Sequence, residues 1–283
     1  MNIMDYVIRD IHKVSIVRNF FQFFIGLSLF IATGVPADYL LIAIASLGFL
    51  LAYQSAYSLN DIQDLKEDSQ DPVKKATKPL ARGDISVQEQ SARMFLYLLL
   101  GLSMSFLVNI AFASLVVLCV FLNFLHSYRP LGLKYSLLGL VNLFFIESIK
   151  FSAGWFVLGG SLLDIPYFMV FFMSSAYTLS YFVYKKNIDL DSLRKKRSVL
   201  LFASAVVFYL VSLYSYKLYR LPLIGVSLVF LFPLLMMRTK DFYGKLKGGI
   251  VFVILIFVFF NLLLLLSPVE PFRSANMYLA SLF

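Results

Sequence analysis

Long runs of apolar side chains alternate with short polar stretches along this chain, and the runs have the length of helices that cross a lipid bilayer. A spanning helix needs about twenty mostly apolar residues. Nine runs qualify, at 17–34, 38–59, 91–108, 110–126, 137–160, 165–184, 199–216, 222–237 and 249–267. Backbone polar groups find no water in hydrocarbon, so a span must satisfy them internally as a helix or a closed barrel. A barrel would show alternating segments of about ten residues, which these continuous runs do not. The pattern therefore predicts an all-α integral membrane protein, a bundle of nine transmembrane helices joined in places by tight turns such as "TGVPAD" at 33–38.

Composition agrees with lipid as the solvent. The 283 residues are 60% hydrophobic and only 14% charged, whereas roughly a quarter of the residues in ordinary soluble domains are charged. The net charge of +9 suggests topology rather than a nucleic-acid partner, because the bases are confined to alternate connections. Arg9, Lys13 and Arg18 precede or open the first span, and Lys66, Lys74, Lys75, Lys78, Arg82 and Arg93 follow the second. Arg129 and Lys134 follow the fourth; Lys185, Lys186, Arg194, Lys195, Lys196 and Arg197 follow the sixth; Arg238, Lys240, Lys245 and Lys247 follow the eighth. Only Lys217, Arg220 and Arg273 fall on the other side. By the positive-inside rule the N-terminus lies in the cytoplasm, in a multi-pass protein of the cell membrane. The basic loops would meet anionic lipid head groups. Cys119 lies alone in an apolar run, which excludes a disulfide framework or a cysteine metal site. The N-terminal residues lack a signal peptide's apolar core and cleavage site, so the first span would act as its own insertion signal. With no repeat and no long linker, residues 1–283 read as one domain, its chemistry on the cytoplasmic side.

Candidate chemistry begins where the second run ends, in "SLNDIQDLKEDSQDP" at 58–72. If the helix continues outward, Asn60, Asp61, Asp64 and Asp68 share one face within a few turns. Like charges so spaced repel, and a solvated acidic loop would need no such regularity. A divalent cation removes the conflict: Mg²⁺ takes one or two carboxylates and completes its shell with water and substrate phosphate. Lys74, Lys75, Lys78 and Arg82, in the same loop, can hold the remaining phosphate charge. Glu147 and Lys150 fall mid-span at i, i+3, where each is costly alone, so they are expected to pair inside the bundle.

These residues also resemble a known family. "NDIQDLKED" is similar to the N-D-x-x-D-x-x-x-D signature of the UbiA superfamily of intramembrane prenyltransferases, through Asn60, Asp61, Asp64 and Asp68. "DPVKKATKPLARGDIS" resembles that family's basic loop, with Lys78 where Arg is usual, and "HSYRPLGLKYS" resembles its Tyr…Lys segment through Tyr128 and Lys134. The resemblance implies a nine-helix bundle with an active-site cavity on the cytoplasmic side. It also implies Mg²⁺ held by the acids, and phosphate bound by Lys75, Lys78, Arg82, Tyr128, Lys134, Lys185 and Lys186. The second acidic motif of the family, D-x-x-x-D, is replaced by "YKKNIDLDSLRKKRS", which leaves Asp189 and Asp191 as candidates and is similar to the decaprenyl-phosphate phosphoribosyltransferase branch.

The expected activity is Mg²⁺-dependent transfer of a prenyl group from a polyprenyl diphosphate to a lipid or aromatic acceptor, with Asp61, Asp64 and Asp68 at the centre. The alternative keeps the acids but makes a polyprenyl phosphate the acceptor of a sugar phosphate from phosphoribosyl diphosphate. A second alternative is a non-enzymatic transporter or scaffold; a transporter would show broken Gly/Pro-rich helices and repeated halves, and this chain shows neither clearly.

Overall fold

The computed structural model describes residues 13–31, 33–131, 133, 137–185, 203–204, 206–208 and 210–211. Every regular element among them is helical: α1 (Lys13–Ile31), α2 (Tyr39–Asp68), α3 (Pro72–Thr77), α4 (Pro79–Arg82), α5 (Val87–Val108), α6 (Ile110–Ser127), α7 (Leu137–Ala153) and α8 (Tyr167–Lys185). The first six expected spans thus correspond to α1, α2, α5, α6, α7 and α8. Of the seventh, only short helical pieces between 203 and 211 are described, and the spans at 222–237 and 249–267 lie outside the described residues. Among the described residues, α2, α5 and α6 are each long and apolar enough to cross a membrane unaided, and Asn19–Ile31 forms a shorter apolar helix.

Caps in the sequence set several boundaries. Asp38 accepts a hydrogen bond from Leu41 N at 3.0 Å and starts α2. Ser86 and Glu89 form a reciprocal capping box at the start of α5, satisfying two of the N–H groups that a helix N-terminus leaves unpaired. Asn109 ends α5 and caps α6, accepting from Phe112 N at 2.8 Å, so one extended residue separates the two helices.

By internal contacts the chain falls into two compact units. One comprises Met1–Phe20 and Asp38–Ile146, the other Phe21–Ala37 and Glu147–Phe283. In the first unit α2 packs most extensively against α5. The reason is visible at Gly101, where a Cβ would collide with the backbone N and Cα of Ala52, and at Gly48, whose Cβ would lie 3.0 Å from Met104 Cβ. Small residues allow such close crossing, which replaces the hydrophobic drive missing between helices in lipid. One turn beyond Gly101, the buried Ser105 returns its hydroxyl to Gly101 O at 2.8 Å, so no donor is stranded in the seam.

In the second unit the span expected at 137–160 is shorter than its apolar run. Helix α7 stops at Ala153 and the chain tightens into a single 3₁₀ turn, Gly154–Phe156. Helix α1 passes close to this end: a Cβ on Gly154 would strike Phe23 O and Leu27 N, and one on Gly26 would approach Phe151 O to 2.5 Å. The indole of Trp155 packs edge-on to Phe30 and donates to Ser161 O at 3.2 Å, closing this end.

Candidate active site

Helix α2 continues past its apolar run to Asp68 without a break. Its continuation carries Asp61, Asp64 and Asp68 on a buried face, with relative exposures of 8%, 6% and 1%. Ser58 and Gln54 extend that face inward at helical spacing, and Ser58 Oγ and Gln54 Oε1 have no hydrogen-bond partner among the described residues. Three carboxylates are therefore withdrawn from water together, which is costly unless cations answer them.

Two lysines answer. Lys78 Nζ lies 2.6 Å from both Asp61 Oδ1 and Asp68 Oδ2, bridging carboxylates two turns apart. Lys74 Nζ lies 2.9 Å from Asp68 Oδ1, a close ion pair without hydrogen-bond alignment. The local sequence explains the reach of Lys78. Pro79 pushes the residue before it into the extended region, and Lys78 has φ −103° and ψ 117° between two short helices. Gly83, at φ +87°, then ends α4 in a left-handed conformation that favours glycine. Burial by itself would lower the Lys78 pKa, but the charges and hydrogen bonds of Asp61 and Asp68 outweigh it and hold the group above its ordinary 10.5.

The other predicted residues divide. Asn60 is half-buried, its Oδ1 3.5 Å from Ser127 Oγ, a long contact. Arg82 is exposed and turned to Asp84, whose Oδ2 accepts from its Nε at 2.6 Å, while its Nη1 donates to Ala76 O at 2.9 Å. In this structure Arg82 thus pairs with Asp84, the neighbouring carboxylate in "RGD". Lys75 is exposed, and Tyr128 is exposed with its ring stacked on Phe124 at 5.2 Å. Lys185 closes α8, though its side chain lies outside the described residues, as do Lys134, Lys186, Asp189 and Asp191.

Do these residues suit a divalent ion? Among the described residues, no three His, Cys, Asp or Glu side chains are close enough to hold one together. Two carboxylate oxygens nevertheless converge on a single cation position, that of the Lys78 ammonium. Hard, buried carboxylate donors already arranged about a positive charge fit a magnesium-like ion.

In the second unit the expected Glu147–Lys150 pair is formed, with Nζ 2.7 Å from Oε1 and both side chains almost wholly buried. Gln22 completes it by donating to Glu147 Oε2 at 2.7 Å. Sequence reading missed Gln22; its signal was an amide, one of two with Asn19, in a mostly apolar helix.

The UbiA prenyltransferase family matches the chain over residues 20–282. The chain belongs to that family. No curated protein matches the sequence. Solved structures of UbiA homologues share the fold. The homologue from Archaeoglobus fulgidus bound to GPP and Mg²⁺ is similar at a TM-score of 0.71 with 15% identity, covering 90% of this chain and 98% of that one. A UbiA homologue from the same organism bound to DMAPP and Mg²⁺ gives a TM-score of 0.60 at 15% identity, with 97% and 99% covered. The apo homologue from Aeropyrum pernix K1 gives 0.63 at 16% identity, with 89% and 96% covered.

Proposed function

We propose that this UbiA family member transfers a prenyl group from a polyprenyl diphosphate to a lipid or aromatic acceptor, in a Mg²⁺-dependent reaction at the cytoplasmic side of the cell membrane. The observation that carries the reading is the buried face of Asp61, Asp64 and Asp68, of which Asp61 and Asp68 already converge on the Lys78 cation. Two solved relatives bound to GPP or DMAPP with Mg²⁺ support the substrate class and the ion.

In this reading Asp61, Asp64 and Asp68, with Asn60 at their edge, hold Mg²⁺. When bound, the ion neutralises the diphosphate as it takes on charge in leaving. Lys78 and Lys74 stand beside the acids and hold diphosphate oxygens, lowering the cost of breaking the allylic C–O bond. Lys75, Arg82, Tyr128 and Lys134 would supply further contacts to phosphate, and Lys185 and Lys186 would screen its charge from a distance. Nine helices form a single domain that houses the isoprenoid chain and excludes water from the reactive carbon. The basic loops keep the N-terminus and the site on the cytoplasmic face.

Calorimetry of the purified chain tests this. Mg²⁺ with inorganic diphosphate should bind the wild type, and Asp64→Ala should lose most of that binding. Unchanged binding in Asp64→Ala would return the acids to a solvated loop.

A further inference from the structure

We propose that Lys78 is a built-in placeholder for the divalent ion: its ammonium keeps Asp61 and Asp68 together in the metal-free chain and must leave before an ion can be held there. The proposal rests on the function proposed above and deepens it to the way the site is loaded. Lys78 Nζ sits 2.6 Å from one oxygen of each carboxylate. An ion held by the same two carboxylates would compete for the place that the ammonium fills. Two positive charges cannot share it. Ammonium and ion are therefore alternatives, and the apparent metal affinity of the chain is set by how readily Lys78 departs.

Lys74 cannot fill this role. It touches one carboxylate and is 42% exposed, whereas Lys78 touches two and is 18% exposed. The backbone allows the exchange, because Lys78 is a single extended residue between two short helices, α3 and α4, on a long four-carbon stem. Once displaced, its ammonium remains beside the acids, within reach of the phosphate oxygens of an anion bound there. The one side chain thus opposes metal alone and favours metal with diphosphate. Coupling of that kind is reciprocal, so each ligand should strengthen the other.

The test uses the purified full-length chain titrated with Mn²⁺ and followed by electron paramagnetic resonance, alone and with inorganic diphosphate. Lys78→Met should bind Mn²⁺ alone about tenfold more tightly than the wild type, since its site no longer has to be vacated. Diphosphate should then raise the Mn²⁺ affinity of the wild type more than that of Lys78→Met. Equal or weaker Mn²⁺ binding by Lys78→Met, or an equal effect of diphosphate on both proteins, overturns the placeholder while leaving the proposed function standing. Absence of Mn²⁺ binding in every protein, with and without diphosphate, overturns both. Should Lys78→Met not purify folded, Lys78→Gln takes the same titration, because its amide still donates to the carboxylates without competing as a charge.

Discussion

Glu147 and Lys150 face each other one turn apart in α7, with carboxylate and ammonium 2.7 Å apart and almost no exposure of either. Removing one partner from a buried pair strands the other charge at a cost of roughly 3–5 kcal/mol, whereas replacing the pair with apolar residues is often neutral. Glu147→Leu and Lys150→Leu should therefore each lower the thermal midpoint sharply. The triple change that adds Gln22→Leu, sparing the amide the loss of its acceptor, should recover most of the loss. A triple variant no more stable than either single one, measured by thermal unfolding in detergent, would show that the pair does more than satisfy itself.

The crossing of α2 and α5 makes a second prediction. Gly101→Leu drives a large side chain into the backbone of Ala52, where even a Cβ has no room. Overpacking typically costs about 1–3 kcal/mol and more where backbone must move. Detergent-solubilised Gly101→Leu should unfold earlier, while Leu100→Ala, on the exposed side of the same helix, should change little.

Lys78 predicts an alkaline limit. A raised pKa means that the folded state holds the proton more tightly than the unfolded state. Its contribution is complete below the unfolded value of 10.5 and is lost as pH rises through the higher folded value. In the metal-free protein, the stability difference between wild type and Lys78→Met should stay constant from neutral pH to about pH 10 and shrink above it. A difference that shrinks between pH 7 and 9 would contradict the ion pairs with Asp61 and Asp68.

Much of this was legible in the residues. Length and continuity of the apolar runs gave α1, α2, α5, α6, α7 and α8, because a membrane admits few other solutions for a buried backbone. The regular spacing of Asp61, Asp64 and Asp68 announced one helical face, and the mid-span i, i+3 spacing of Glu147 and Lys150 announced their pairing. What periodicity does not encode is partner choice across elements. The partner that Arg82 takes here, Asp84, follows from a local turn and not from the basic run that made it a phosphate candidate. The close crossing at Gly154 joins α7 to α1, segments far apart in the chain. Gln22 became meaningful only once Glu147 stood opposite it.

The central claim concerns which diphosphate is consumed. Asp61, Asp64 and Asp68 would serve prenyl and phosphoribosyl transfer alike, so changing them cannot separate the two; the donor can. The measurement is release of inorganic diphosphate by the purified chain with Mg²⁺ and a membrane lipid extract. Geranylgeranyl diphosphate should yield diphosphate, and phosphoribosyl diphosphate with polyprenyl phosphate should yield none. Joint replacement of Lys185 and Lys186 by Ala should reduce turnover only modestly, as expected of charges that screen rather than touch the leaving group. Release from the sugar donor alone, nearly abolished by that double replacement, would contradict prenyl transfer.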